Sequence, residues 1–230
     1  SQNYSLAITA AGGGYSRWND LEITRWRADT TRDNWGQFLY LRDLETGVSW
    51  SATHQPLKRA ARTSGVSFKA EKAEFHRRDA EIEARLEICV SPEDPCEVRR
   101  LTLVNHSSRV RKIEATSFAE LALAPHNADR AHPAFNKLFI QTAIVPERDA
   151  LLAWRRPRSS KEKPVWAAHL MACSAHADEI QFETDRSKFL GRARDASNPV
   201  ALEGDLSGTA GAVLDPCFSL RKRVTLRPGE

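Results

Sequence analysis

With 230 residues, of which 41% are apolar, the chain has material for a sizeable core, as one large all-β domain or two small ones. Its 34 Lys and Arg stand against 30 Asp and Glu, for a formal net charge of +4 with the signs interspersed. A nucleic-acid groove binder gathers its cations on one face, so that class is set aside; no apolar run is long enough to span a membrane, and no signal-peptide core opens the chain.

Residues 4–9 read as an apolar strand leading into the run Gly12-Gly-Gly14. No Lys-Ser/Thr follows these glycines, the G-x-G-x-x-G order is absent, and no helical pattern follows to receive a pyrophosphate. A sharp turn or a close backbone approach explains them better than a nucleotide does. Residues 35–41 and 48–50 then form a hairpin whose turn, 43–47, ends in Gly47.

Residues 81–90 alternate strictly. Ile82, Ala84, Leu86, Ile88 and Val90 share one face, against Glu81, Glu83, Arg85 and Glu87 on the other, which predicts a half-buried strand with one wet face. Asn105-His-Ser-Ser108 separates residues 98–104 from 110–123 and predicts a second hairpin. Within the latter stretch Ile113, Ala115, Ala119, Leu121 and Leu123 repeat the period of two. Trp154-Arg-Arg-Pro-Arg158 opens the most linker-like segment, 155–163, but strand patterns on both sides make it a loop within one domain. Phe218, Leu220, Val224 and Leu226 alternate once more against Ser219, Arg221, Arg223 and Thr225. A turn signal at 227–230 with no return strand suggests a piece of a longer chain.

No stretch keeps helical periodicity beyond about two turns, and prolines punctuate the strands. The expected fold is therefore all-β: antiparallel hairpins in a two-layer sandwich spanning residues 1–230. Cys89, Cys96, Cys173 and Cys217 form no C-x-x-C pair and three lie in apolar-alternating stretches, so neither a disulfide framework nor a zinc site is expected.

Candidate chemistry gathers near the amino terminus. Tyr15, Arg17, Trp18, Arg25 and Trp26 combine indole and phenol faces with guanidinium donors, as a sugar-binding groove does: the ring faces stack on pyranose, and polar groups take its hydroxyls. The structural alternative has Trp18, Trp26 and Trp35 in the core, with the arginines paired to Asp20, Asp29 and Asp33. His126, Asp129 and His132 have metal-ligand chemistry but sit in a loop without a rigid frame, and no metal is expected. A mutarotase-like acid and base would have to come from His54, His132 and Glu120, which no spacing joins.

Several spaced motifs carry a resemblance that runs nearly end to end. Gly13-Gly-Tyr-Ser-Arg-Trp18, Thr24-Arg-Trp-Arg27, Asp33-Asn-Trp-Gly36, Trp50-Ser-Ala-Thr-His-Gln-Pro56, Ala131-His-Pro-Ala-Phe135 and Thr184-Asp-Arg-Ser-Lys-Phe-Leu-Gly-Arg192 resemble the β-sandwich of glycoside hydrolase family 94. The nearest likeness is to the copies in cyclic β-1,2-glucan synthases. It implies a supersandwich like that of galactose mutarotase, within a large inner-membrane glycosyltransferase whose acid catalyst lies in a helical barrel absent from this chain. It also implies a cytoplasmic location, carbohydrate or neighbouring domains as partners, a possible homodimer, and no cofactor. The loop that borders a sugar site in the related phosphorylases corresponds to residues 125–138. By the resemblance Asn136 and Lys137 are sugar-contact candidates there, with His132 of the same stretch a further candidate, although the Gln-Arg pair expected in that loop is missing.

Overall fold

A computed structural model describes residues 3–29, 31–174 and 179–230. The first strands, β1 (Tyr4–Ile8), β2 (Gly14–Trp18) and β3 (Leu21–Thr24), form an antiparallel meander, and β4 (Gln37–Asp43) turns back into β5 (Ser49–Ser51). Next come β6 (Thr63–Phe68), β7 (Ala73–Asp79), β8 (Ile82–Val90) and β9 (Glu97–Asn105), a four-stranded sheet in sequence order. The long strand β10 (Arg111–Pro125) runs into two short helices, α1 (His126–Ala131) and α2 (Pro133–Lys137). Strands β11 (Ile140–Val145), β12 (Ala150–Arg155) and β13 (Val165–Leu170) make a three-stranded sheet. β14 (Gln181–Asp185), α3 (Arg186–Leu190) and β15 (Pro216–Leu226) complete the described chain.

β10 is the spine. It belongs to an eight-stranded sheet ordered β1-β2-β3-β10-β15-β14, with β4 and β5 branching from it. β4 pairs along residues 113–119 of β10 and β3 along residues 121–125, so one strand carries two neighbours end to end. The alternation read in the sequence sets the packing. Ile113, with Leu41, Trp50 and Leu226, meets Phe75, Ile82, Ala84, Leu86 and Ile88 of the four-stranded sheet. Farther along, Leu121 and Leu123, with Phe218 and Leu220, meet Ile140, Leu151 and Ala153 of the three-stranded sheet. Phe118 points the other way and stacks on Phe189 of α3, with ring centroids 4.3 Å apart. Burying each such side chain contributes about 1.5–3 kcal/mol. The fold is all-β and antiparallel, as the sequence predicts.

Three expectations need correction. The segments on either side of Asn105-His-Ser-Ser108 are not a hairpin: β9 pairs only with β8, and β10 crosses to the large sheet. The side chain of Asn105 donates to the carbonyls of Arg109 and Leu226 and closes that crossover. The polar face of β15 is wet only at its far end: Thr225 is exposed, but Ser219 and Arg221 are buried, Arg221 beneath the 186–215 segment. Arg221 is held there by Thr116 Oγ1 at 2.8 Å and by the carbonyls of Ala201 and Gly204. Likewise Glu87 on β8 is buried by ion pairs with Lys72 and Arg100, which hold its carboxyl down at about 2.

The glycine run is an internal turn. Gly12, Gly13 and Gly14 donate their amides to Thr9 O, Thr9 Oγ1 and Trp35 O, leaving none for a phosphate. A Cβ on Gly12 would lie 2.3 Å from Thr53 Oγ1 and one on Gly14 1.9 Å from the Ala7 carbonyl, both at positive φ. Close approach is the reason for these glycines.

Candidate functional site

Residues from four separate parts of the chain converge where β10 runs into α1. Arg25, just beyond β3, is 3% exposed and lays its guanidinium on the fully buried Asp129 of α1, with both hydrogen bonds at 3.0 Å. The same guanidinium reaches Glu120 at 3.4 Å and Asp215 at 3.9 Å. Arg27 adds a 2.5 Å bond to Asp129, while Arg186 bridges Glu120 at 2.6 Å and Asp215 at 3.2 Å. Lys137 closes the network on Asp215 at 2.7 Å. Four cations thus share three carboxylates, and this multiplicity offsets the desolvation of the buried charges.

The proton affinities follow. Burial alone would raise the Asp129 carboxyl, but hydrogen bonds from Arg25 and Arg27 outweigh it and hold it below the usual range. Burial opposes the charge on Arg25 and Arg186, yet Asp129 for the first and Glu120 for the second raise them above an ordinary arginine. The cluster is paired throughout, an arrangement suited to holding α1 and α2 against the sheet.

An aromatic ridge lies beside it. Trp26 and Tyr15 meet with ring centroids 5.3 Å apart and tilted by 51°, and both are half-buried. Arg27 donates to the Trp26 carbonyl and sits over the Trp35 ring at 5.9 Å. Alternation along β2 puts Arg17 on the same face as Tyr15. This ridge combines partly open ring faces with a guanidinium, as sugar stacking requires.

The eight sequence candidates therefore divide. Tyr15 and Trp26 are brought together in the ridge, whereas Arg25 and Lys137 join the ion network through Asp215. Trp18 falls on the opposite face of β2 from Tyr15, and Arg17 is tied into the β2–β3 turn by Asn19 O and Asp20. Arg25 and Asn136, expected to face a groove, are both buried and committed to protein partners. Asn136 Nδ2 donates to Ala128 O and His132 O, and its Oδ1 accepts from Arg155 at 2.9 Å. His132 is exposed at the α1–α2 junction. The stretch 125–138, read as a loop, is thus two short helices pinned from inside.

The other proposed groupings separate. His126 bonds Glu22 at 2.6 Å while Asp129 is taken by arginines, so the His-Asp-His set does not converge; no cluster of three metal-ligating side chains forms among the described residues. Among the described residues, the Asp20 pairing of the structural alternative forms, with Arg17, while Asp33 accepts from Thr9 and Asp29 caps its own turn at Thr31 and Arg32. Glu120 is engaged by Arg25 and Arg186 and shares no bond with His54 or His132 among the described residues. Sequence reasoning gave no role to Arg186, although it lies within the 184–192 motif, or to Asp215, which no local motif marks. It met Asp129 only as a metal candidate, because its true partner lies 104 residues away.

Comparison with known proteins gives this geometry its family. The 38% identity to a cyclic beta-(1,2)-glucan synthase, NdvB, of Rhizobium meliloti (strain 1021) extends over 99% of this chain but 8% of that protein. An N,N'-diacetylchitobiose phosphorylase of Vibrio proteolyticus is 27% identical over the whole chain, which covers 29% of it. A solabiose phosphorylase of Paenibacillus borealis is 28% identical over 84% of the chain and 24% of its own length. The chain thus spans less than a third of each of these relatives. The profile of the glycosyl hydrolase 94 supersandwich domain matches residues 1–230, and the chain belongs to that family.

Proposed function

We propose that this chain is a non-catalytic, carbohydrate-associated supersandwich module of a cyclic β-1,2-glucan synthase, one unit of a longer protein. In this reading it positions glucan, or the domains that build it, and lies on the cytoplasmic side of an inner-membrane protein. The observation that carries the proposal is the match along the full chain to a relative named for glucan synthesis. The ridge of Tyr15, Trp26, Arg27 and Trp35 supports a sugar-holding role, since partly open aromatic faces and a guanidinium stand together there. The pairing of Glu120, Asp129 and Asp215 to cations supports the absence of catalysis, because a general acid or base needs a carboxylate free to change its protonation.

Two measurements test the two halves. Calorimetric titration with linear and cyclic β-1,2-glucans is expected to give saturable binding, weak by enzyme standards. Polarimetry of freshly dissolved glucose is expected to show mutarotation at the buffer rate. Acceleration by the chain, abolished in Glu120→Gln, would instead favour the mutarotase-like alternative.

A further inference from the structure

The basic stretch that begins at Trp154-Arg-Arg-Pro-Arg158 has no part in the ridge or the ion network. It is the tip of the β12–β13 hairpin. Arg155, Arg156, Arg158, Lys161 and Lys163 are accompanied by a single carboxylate, Glu162, giving a local surplus of four charges, equal to the formal net charge of the whole chain. Among the described residues Glu162 forms an ion pair with Arg158 alone, at 3.6 Å. Among the described residues no carboxylate stands within ion-pair distance of Arg155, Arg156, Lys161 or Lys163. Arg155 is instead held by Asn136 and by the Phe139 ring, 5.2 Å away, and its charge is disfavoured by burial and then by Arg158.

The sheet that carries this loop has an uncovered apolar face. Leu151 and Ala153 point into the core, so alternation turns Leu152 and Trp154 outward. Across β12 and β13, Trp154 is in register with Trp166, Leu152 with Ala168 and Ala150 with Leu170. The two indoles stack at 5.0 Å, yet Trp166 remains 56% exposed and Leu170 60%. β13 is an edge strand of its sheet.

We infer that the outer face of the β11–β13 sheet, with the 155–163 loop at its rim, seats peripherally on an anionic phospholipid surface. This goes beyond the carbohydrate-associated role and does not depend on it. An exposed indole, Trp166, stacked on half-buried Trp154 and set beside a run of cations meets the two demands of such a surface: aromatic rings at headgroup depth, and Lys and Arg against lipid phosphates. A second copy of the chain is a poor occupant, since pairing these faces would place two surplus-cation loops at one interface. Free phosphate is a poor occupant too, because the cations lie spread along an open loop.

The test is co-sedimentation of the chain with vesicles of phosphatidylcholine alone or mixed with phosphatidylglycerol. Binding is expected only with phosphatidylglycerol, and it should weaken as salt rises. In the variant combining Arg156→Gln, Arg158→Gln, Lys161→Gln and Lys163→Gln, all in the exposed loop, each lost cation should weaken binding roughly fivefold. Trp166→Ala should keep the salt dependence but reduce both affinity and the blue shift of tryptophan emission, with circular dichroism confirming the fold of each variant. No sedimentation with phosphatidylglycerol at low salt overturns the inference, as does unchanged binding by the fourfold variant. Binding to polyglutamate but not to vesicles would overturn it as well, and would assign the face to an acidic protein.

Discussion

Asp129 decides the local architecture of the charged cluster. It is fully buried, and the stability of its site depends on both arginines. Asp129→Ala should cost about 3–5 kcal/mol in denaturant unfolding, since it strands buried Arg25 without its main partner. The pH dependence has a definite sign. A carboxyl whose folded pKa lies below its unfolded value contributes stability above the unfolded value, about 3.9, and loses it as pH falls through the folded one. The wild-type chain should therefore lose stability below about pH 4, and Asp129→Ala should flatten that limb. His169 acts in a different window. Burial lowers it to about 4, so it stays neutral in the fold while the unfolded chain protonates from about 6.5 downward. Stability should fall between those two values, and His169→Gln should remove that component from urea midpoints measured across the range. In the sequence, Arg25 and Lys137 stand out as chemistry-bearing residues, but their function as ion partners is invisible there. Arg25 meets Asp129 and Glu120 across 104 and 95 residues of chain, and Asp215 is farther still from it, while Lys137 also reaches across the chain to Asp215.

At the scale of elements, the two glycine turns differ in what they ask of the residue. Gly47 has φ +71 and open space where a Cβ would stand, with nothing within 4 Å, so Gly47→Ala carries only left-handed backbone strain, about 1 kcal/mol. Gly12 has φ +94 and also a contact at 2.3 Å, so Gly12→Ala should lose several times as much; equal losses in thermal melts would contradict the close-approach account. Strand positions and their core faces were legible because period-two alternation is a local signal: Ile82 through Ile88, and Ile113 through Leu123, pack where the pattern puts them. Connectivity was not. Nothing in Asn105-His-Ser-Ser108 distinguishes a hairpin from a crossover, since the choice rests on which sheet offers β10 its partners. The burial of Arg221 was hidden for a similar reason: its cover comes from the irregular 186–215 segment, which has no periodicity to read.

Across the whole molecule, β10 is common to all three packing layers, and the four-stranded sheet, the three-stranded sheet and α3 each lean on a different part of it. Such sharing should make residues 1–230 unfold in one cooperative step, with fluorescence and far-ultraviolet circular dichroism giving coincident transitions; separate transitions would divide the chain into independent units. The family was legible because its motifs are spread along the whole chain, whereas the distinction between ring faces that plug a core and those that meet a ligand depends on which side of a strand they occupy. Trp18 and Trp26 illustrate it: both are half-buried, and only Trp26 joins Tyr15 in the ridge. The most direct test of the carbohydrate-associated role is an NMR titration with cyclic β-1,2-glucan, following the side-chain indole N–H signals assigned by single Trp substitutions. The account predicts saturable shifts at Trp26 and Trp35 with Trp50 unmoved in the core, and no shift of any indole at high glucan concentration would contradict it.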